Sequence, residues 1–138
     1  MLLFVSMKIK KGKKNERATL QKRAIEDLFD RADHPMTIKE IHIKALKEVR
    51  DIGIATIYRA IAKLLVEKQI VKVILPNSPV CFERLNKSDT HHHHFKCNRC
   101  EKVFDLVGCI GSYDKLVPSG FLLVDHEVNL YGYCKDCR

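Results

Sequence analysis

The stretch "DIGIATIYRAIAKLLVEKQIV", residues 51–71, decides the fold. Gly53 is an acceptable N-cap. Ile54, Ile57, Ile61, Leu64 and Leu65 follow at helical spacing and form a core stripe. The opposite face carries Ala55, Tyr58, Arg59 and Ala62, so small residues flank a Tyr-Arg pair near the helix N-terminus.

Working outward from this helix, two shorter helical segments precede it. From Thr19 a pattern places Leu20, Ala24, Leu28 and Phe29 on one face, and it stops at His34-Pro35, where the proline expels its predecessor from the helical region. "TIKE", residues 37–40, is a capping box, with Thr37 as cap and Glu40 reaching back. Ile41, Ala45 and Val49 follow on its inner face. After residue 69, "IVKVIL" and "VCFERL" read as two strands flanking "PNSP". Three helices and a hairpin are the layout of a winged helix-turn-helix. Such a fold offers the N-terminal turns of its third helix to the DNA major groove. There Tyr58 suits thymine methyls and Arg59 suits phosphate or guanine.

Charge supports the same division. Residues 1–85 carry 18 Lys/Arg against 10 Asp/Glu, whereas residues 86–138 carry seven of each. The whole excess of +8 therefore lies in the first part, as expected of a polyanion-binding module joined to something else. Residues 8–17 are basic and poor in apolar side chains, and read as a flexible arm. No apolar run approaches the roughly 20 residues of a membrane span. "MLLFV" has no basic residues ahead of it and fails as a signal peptide. Met7 opens a second plausible start, "MKIKKGKK". A cytoplasmic protein is expected, in which Cys-x-x-C pairs read as metal sites.

The second part begins after a polar, turn-rich segment, "NKSDT", residues 86–90. The expected organisation is a DNA-binding domain with a basic arm over 1–85, a hinge over 86–90, and a small α+β domain over 91–138. "HHHHFKC", "KVFDLV" and the long "GFLLVDHEVNLYG" read as strands of an antiparallel sheet, and "GCIGSYDKLV" as a short helix. Cys97-x-x-Cys100 and Cys134-x-x-Cys137 supply four thiolates for a tetrahedral, structural zinc. The alternatives are unconnected thiols or a redox pair. In a strand, His92 and His94 point to one face, His91 and His93 to the other. Each pair can start a mixed imidazole–carboxylate site suited to Fe(II), Mn(II), Zn(II) or Ni(II). His34, Glu83, Asp105 and His126 are the candidates to complete them. Cys81 and Cys109 lie outside the knuckles and read as small buried hydrophobes. No H-x-E with P-C-x-x-C, and no H-E-x-x-H, is present to support a zinc enzyme.

"RATLQKRAIEDLF", "HPMTIKEI", "IGIATIYRAIAKLLVEKQIV", "FERL", "HHHHFKCNRC", "GF" and "LYGYCKDC" occur in that order over residues 17–137. With them the chain resembles the ferric uptake regulator (Fur) family of bacterial metal-sensing repressors. The resemblance implies a homodimer of winged-helix domains joined through C-terminal dimerisation domains whose strands pair across the dimer. It puts Cys97, Cys100, Cys134 and Cys137 on the structural zinc. It puts His34, Glu83, His92, His94 and Asp105 on a regulatory site that fixes the hinge angle. Tyr58 and Arg59 match major-groove contacts, beside the small residue Ala55. Arg17 matches a basic residue that enters the minor groove before the first helix. His91, His93 and His126 match a third site whose usual acidic ligand aligns with Ser112, with Asp114 nearby.

The implied activity is repression from an A·T-rich inverted repeat when the regulatory metal binds. Glu83 resembles the iron-sensing members, so Fe(II) is favoured. The histidine run is common among zinc sensors, which leaves a zinc-sensing or a peroxide-sensing member as alternatives. A zinc-stapled DNA-binding protein without sensing is the remaining rival.

Overall fold

In the computed structural model, which describes residues 3–85 and 91–138, the first part runs α1 (Leu3–Arg31), β1 (Met36–Thr37), α2 (Ile38–Glu48), α3 (Ile54–Val66), β2 (Ile70–Val73) and β3 (Cys81–Arg84). The second part runs β4 (His92–Cys97), β5 (Val103–Val107), a 3-10 turn (Asp114–Leu116) and β6 (Asn129–Gly132). This is the expected α+β architecture of a winged helix plus a small second sheet. The expected hinge, 86–90, lies outside the described residues.

Local chemistry sets the helix ends. The Glu40 N–H donates to Thr37 Oγ1 at 3.2 Å and the Thr37 N–H donates to Glu40 Oε2 at 3.1 Å, a reciprocal capping box. Gly53 caps α3 with extended backbone and no side-chain bond. Beyond α3, Lys68 adopts φ 55, and the Gln69 N–H returns to the Leu64 carbonyl at 2.9 Å. A left-handed residue closing a helix is normally glycine. At the other end, α1 continues through residues 8–17, where the sequence suggests an arm. Lys, Arg and Glu are good helix formers, and Gly12 alone costs only about 1 kcal/mol. Arg17 consequently sits within α1 rather than before it.

The first core gathers Ile25, Leu28 and Phe29 of α1, Met36, Ile41 and Ala45, then Ile52, Ile57, Ile61, Leu64, Ile70 and Phe82. Two expected core positions point outward instead: Leu20 is 60% exposed and Ile54 42%. The α1 face that packs is one defined by Ile25, so Leu20 falls off its edge, and Ile54 stands one turn above the buried Ile57. β3 pairs antiparallel with β2 and also with β1, through Met36↔Phe82 and Thr37↔Cys81. Arg84 ties this sheet to α1: its Nε donates to Asp30 at 2.7 Å, and its terminal nitrogens to Gln69 Oε1 at 3.0 Å and the Glu26 carbonyl at 3.3 Å.

The second sheet has the order β5-β4-β6. β4 and β5 are antiparallel with His94 opposite Asp105, but β4 and β6 are parallel, which corrects the all-antiparallel expectation. The long strand expected over 120–132 shrinks to Asn129–Gly132. Phe121, Leu122 and Val124 ahead of it are 71–88% exposed, because no strand among the described residues lies beside them. The expected short helix survives as the 3-10 turn. Gly132 lets β6 close on β4, since a Cβ there would meet Phe95 Cζ at 3.0 Å. The wing and the second sheet are packed together: Val73, Leu75 and Cys81 form a buried cluster with Val103 of β5, and Lys96 Nζ donates to the Asn77 carbonyl at 3.1 Å. The 1% exposed Cys81 is the buried hydrophobe expected of it.

Candidate metal centres and nucleic-acid interface

The four cysteines of the two knuckles converge. Their sulfurs all lie within 4.8 Å of one another, and Cys100 Sγ stands 3.8 Å from Cys134 Sγ. With Zn–S bonds of about 2.3 Å, a tetrahedral S···S edge is about 3.8 Å, so the spacing suits one zinc. The knuckle turn is built by the Glu101 N–H returning to the Cys97 carbonyl at 3.0 Å, with Glu101 at φ 63. Backbone N–H groups of Cys100 and Cys134 point at Cys97 Sγ, 3.5 and 3.4 Å away. Burial raises the Cys97 thiol, but the backbone donors of Cys134, Cys100 and Arg99 outweigh it and bring the pKa down to about 6. Cys137 goes the other way, to about 12, through its bond to Cys134 and burial. A dication bound among the four sulfurs would displace their remaining protons.

A second cluster joins the two parts of the chain. Glu83 comes from the wing strand β3, and His92, His94 and Asp105 from β4 and β5. His92 Nε2 is 3.4 Å from Glu83 Oε1 and 3.6 Å from Asp105 Oδ1, and His94 Nε2 is 3.5 Å from the same Asp105 oxygen. These separations are long for charge-assisted hydrogen bonds. They match ligand–ligand edges of about 3.4 Å around an ion bound at 2.0–2.1 Å. Glu83 Oε2, both nitrogens of His94 and Asp105 Oδ1 are buried without a hydrogen-bond partner, an expensive state for polar atoms unless an ion satisfies them. Burial and the neighbouring Asp105 raise Glu83 to about 7, and burial lowers His94. The donor set, two imidazoles and two carboxylates, fits a borderline divalent metal.

His34 is not brought into this cluster. Its Nδ1 is 2.7 Å from Asp33 Oδ1 and its Nε2 3.0 Å from Glu40 Oε1. The Glu40 bond, helped by Asp33, raises the His34 pKa against its burial, and both ring nitrogens are engaged by these carboxylates. Glu40 therefore serves twice, in the capping box and on His34, a role visible in the sequence only as the cap. The His34 ring nevertheless lies 6.2 Å from that of Phe104, next to Asp105.

The third group is His91, His93, His126 and Cys109. Neither Ser112 nor Asp114 joins it: the Ser112 hydroxyl donates to Asp114 Oδ2 at 2.6 Å. Cys109 is exposed rather than buried, which overturns its reading as a core hydrophobe. On α3, Ala55, Tyr58 and Arg59 are all exposed, with Tyr58 at 57%, and Arg59 donates to Thr56 Oγ1 at 3.3 Å. Tyr58 lines a cleft of about 900 Å³ between α3, the wing and the Cys100–Lys102 turn. Arg17 is exposed on α1. Among the described residues no helix is long and apolar enough to cross a membrane.

The model of the ferric uptake regulator family matches residues 13–131. The chain belongs to the Fur family. Relatives at the sequence level include the ferric uptake regulation proteins of Neisseria gonorrhoeae, 30% identical over 118 residues, 83% of this chain and 81% of that protein, and of Bordetella parapertussis, 28% identical over 126 residues, 88% and 89%. Among solved structures, a zinc-bound manganese uptake regulator shares the fold at a TM-score of 0.71 and 22% identity, covering 87% of this chain and 97% of that one. The ferric uptake regulator of Francisella tularensis with iron superposes at 0.61 with 25% identity, covering 85% and 90%. Fur-family proteins are metal-binding regulators of transcription, not enzymes. Among its described residues this one carries three clusters able to hold a metal.

Proposed function

We propose that the chain is a homodimeric, metal-dependent repressor in which a divalent ion, Fe(II) favoured, binds Glu83, His92, His94 and Asp105, recruits His34, and locks the winged helix onto the second domain. The observation that carries this reading is the cluster's composition: one buried ligand from the wing and three from the second sheet, with orphaned polar atoms facing one another. An ion there binds only when both parts are in register. It stabilises that arrangement by its differential affinity. Bound DNA then raises metal affinity by the same factor as metal raises DNA affinity.

The zinc of Cys97, Cys100, Cys134 and Cys137 staples the chain end to β4. The exposed Phe121, Leu122 and Val124 form the strand that pairs across the dimer, which sets two α3 helices on an A·T-rich inverted repeat. Ala55, Tyr58 and Arg59 contact the major groove, and Arg17 the minor groove. Domain limits of 1–85, 86–90 and 91–138, and a cytoplasmic location, belong to the same reading. The test is binding to such a repeat by chelated protein that retains its zinc, with Fe(II), Mn(II), Zn(II) and Ni(II) restored in turn. Selective rescue names the ion, and metal-independent binding refutes the reading.

A further inference from the structure

His91, His93 and His126 form a nest of imidazoles with ring centroids 4.7–5.1 Å apart. His91 Nε2 and His126 Nε2 face each other at 3.1 Å. Cys109 Sγ is also 3.1 Å from His126 Nε2, and the four donor atoms all lie within 4.8 Å of one another. His93 is 3% exposed and its Nε2 is buried with no hydrogen-bond partner. Two features aim the thiol. Gly108 and Gly111 flank Cys109 at φ +91 and +122, backbone that a side chain would strain, and they turn the loop back toward His126. The Tyr113 ring packs on His126, 4.5 Å between centroids. The nearby carboxylate of Asp114 is turned to Ser112 instead.

We infer that Cys109 is the fourth ligand of this outer cluster, making it a three-histidine, one-thiolate site for a soft divalent ion of the Zn(II) class. For such a site the tetrahedral N···N and N···S edges are about 3.3 and 3.6 Å, a few tenths of an ångström beyond the observed 3.1 Å contacts. Small ring and loop adjustments therefore suffice. A thiolate in place of a carboxylate moves preference away from the hard Mn(II). Each ion bound displaces the Cys109 thiol proton to solvent, forming one metal–sulfur bond.

The experiment is Co(II) titration of the full-length protein with zinc retained in the knuckles, checked by metal content. The expected result is sulfur-to-cobalt charge transfer in the near ultraviolet that saturates at one Co(II) per chain in this site, with any Co(II) in the sensing cluster adding to the metal content but not to the band. The sensing cluster contains no sulfur, so its success or failure does not touch this band. Cys109→Ser abolishes the band, and His126→Ala weakens Co(II) at this site by more than the roughly 10–100-fold that loss of an outer-shell partner costs. Added Zn(II) protects Cys109 from iodoacetamide in the unsubstituted protein, a readout that needs no variant to fold. Full charge transfer in Cys109→Ser, loss of affinity in Asp114→Asn instead, or unprotected Cys109 at saturating Zn(II) each overturns the assignment.

Discussion

Replacing Glu40 by glutamine tests the sensing mechanism at a residue outside the metal cluster. In the structure Glu40 Oε1 holds His34 Nε2 at 3.0 Å, with the two side chains only 23% and 7% exposed. To serve as a ligand, His34 must leave this carboxylate, whose bond favours the protonated imidazole. A hydrogen bond to a charged group is worth about 1.5–3 kcal/mol and a neutral one about 0.5–1.5, so the substitution lowers the release cost by about 1 kcal/mol. That is about a fivefold gain in metal affinity. Glutamine still closes a capping box, so α2 stays intact, and a denaturation curve checks this. Lys44, which offsets part of the Glu40 charge, limits the effect of removing that charge. The assay is DNA-binding anisotropy against buffered free metal. The midpoint should move about fivefold to lower metal. A midpoint that stays put or moves upward refutes the recruitment of His34.

Other outcomes follow from the fold. Arg84→Ala removes the clamp between β3 and α1 and should cost about 1–3 kcal/mol in urea denaturation, with metal content unchanged. Lys68→Gly relieves a left-handed lysine and should raise stability by about 0.5–1 kcal/mol, seen as a higher midpoint at constant slope. Stripping the knuckle zinc, or Cys134→Ser, should abolish protection of β4 and β6 amides from hydrogen exchange while leaving α2 and α3 protected, since the first core contains none of the second sheet.

The parts legible in the sequence were those fixed by near neighbours. The capping box at Thr37 and Glu40, the Gly53 cap and the buried Ile57, Ile61 and Leu64 depend on spacing within one helix. The alternation of His91 to His94 correctly separated two faces of β4. What was hidden depends on partners distant in sequence. β1 is two residues long and exists because Phe82 and Cys81 lie opposite. The apolar run after Gly120 looks like a strand, yet a strand needs a neighbour, and none of the described residues provides one. Glu40 takes His34 across six positions, and Cys109 reaches His126 only after two glycines bend its loop. Leu20 was misread because a helical face is set by the surface it packs on, not by periodicity alone.

Strand β4 supplies His92 and His94 to one cluster, His93 to another and Cys97 to the knuckle, all within six residues. Three ions would thus share one mechanical element. Fixing the strand through any of them removes disorder that the next would otherwise have to remove, so successive ions bind with less entropic cost. On the proposed function, metal loading would have an order: a knuckle zinc bound first would stiffen β4 and sharpen the response of both histidine faces. A zinc-poor cell would weaken the sensor without altering any residue of its sensing cluster.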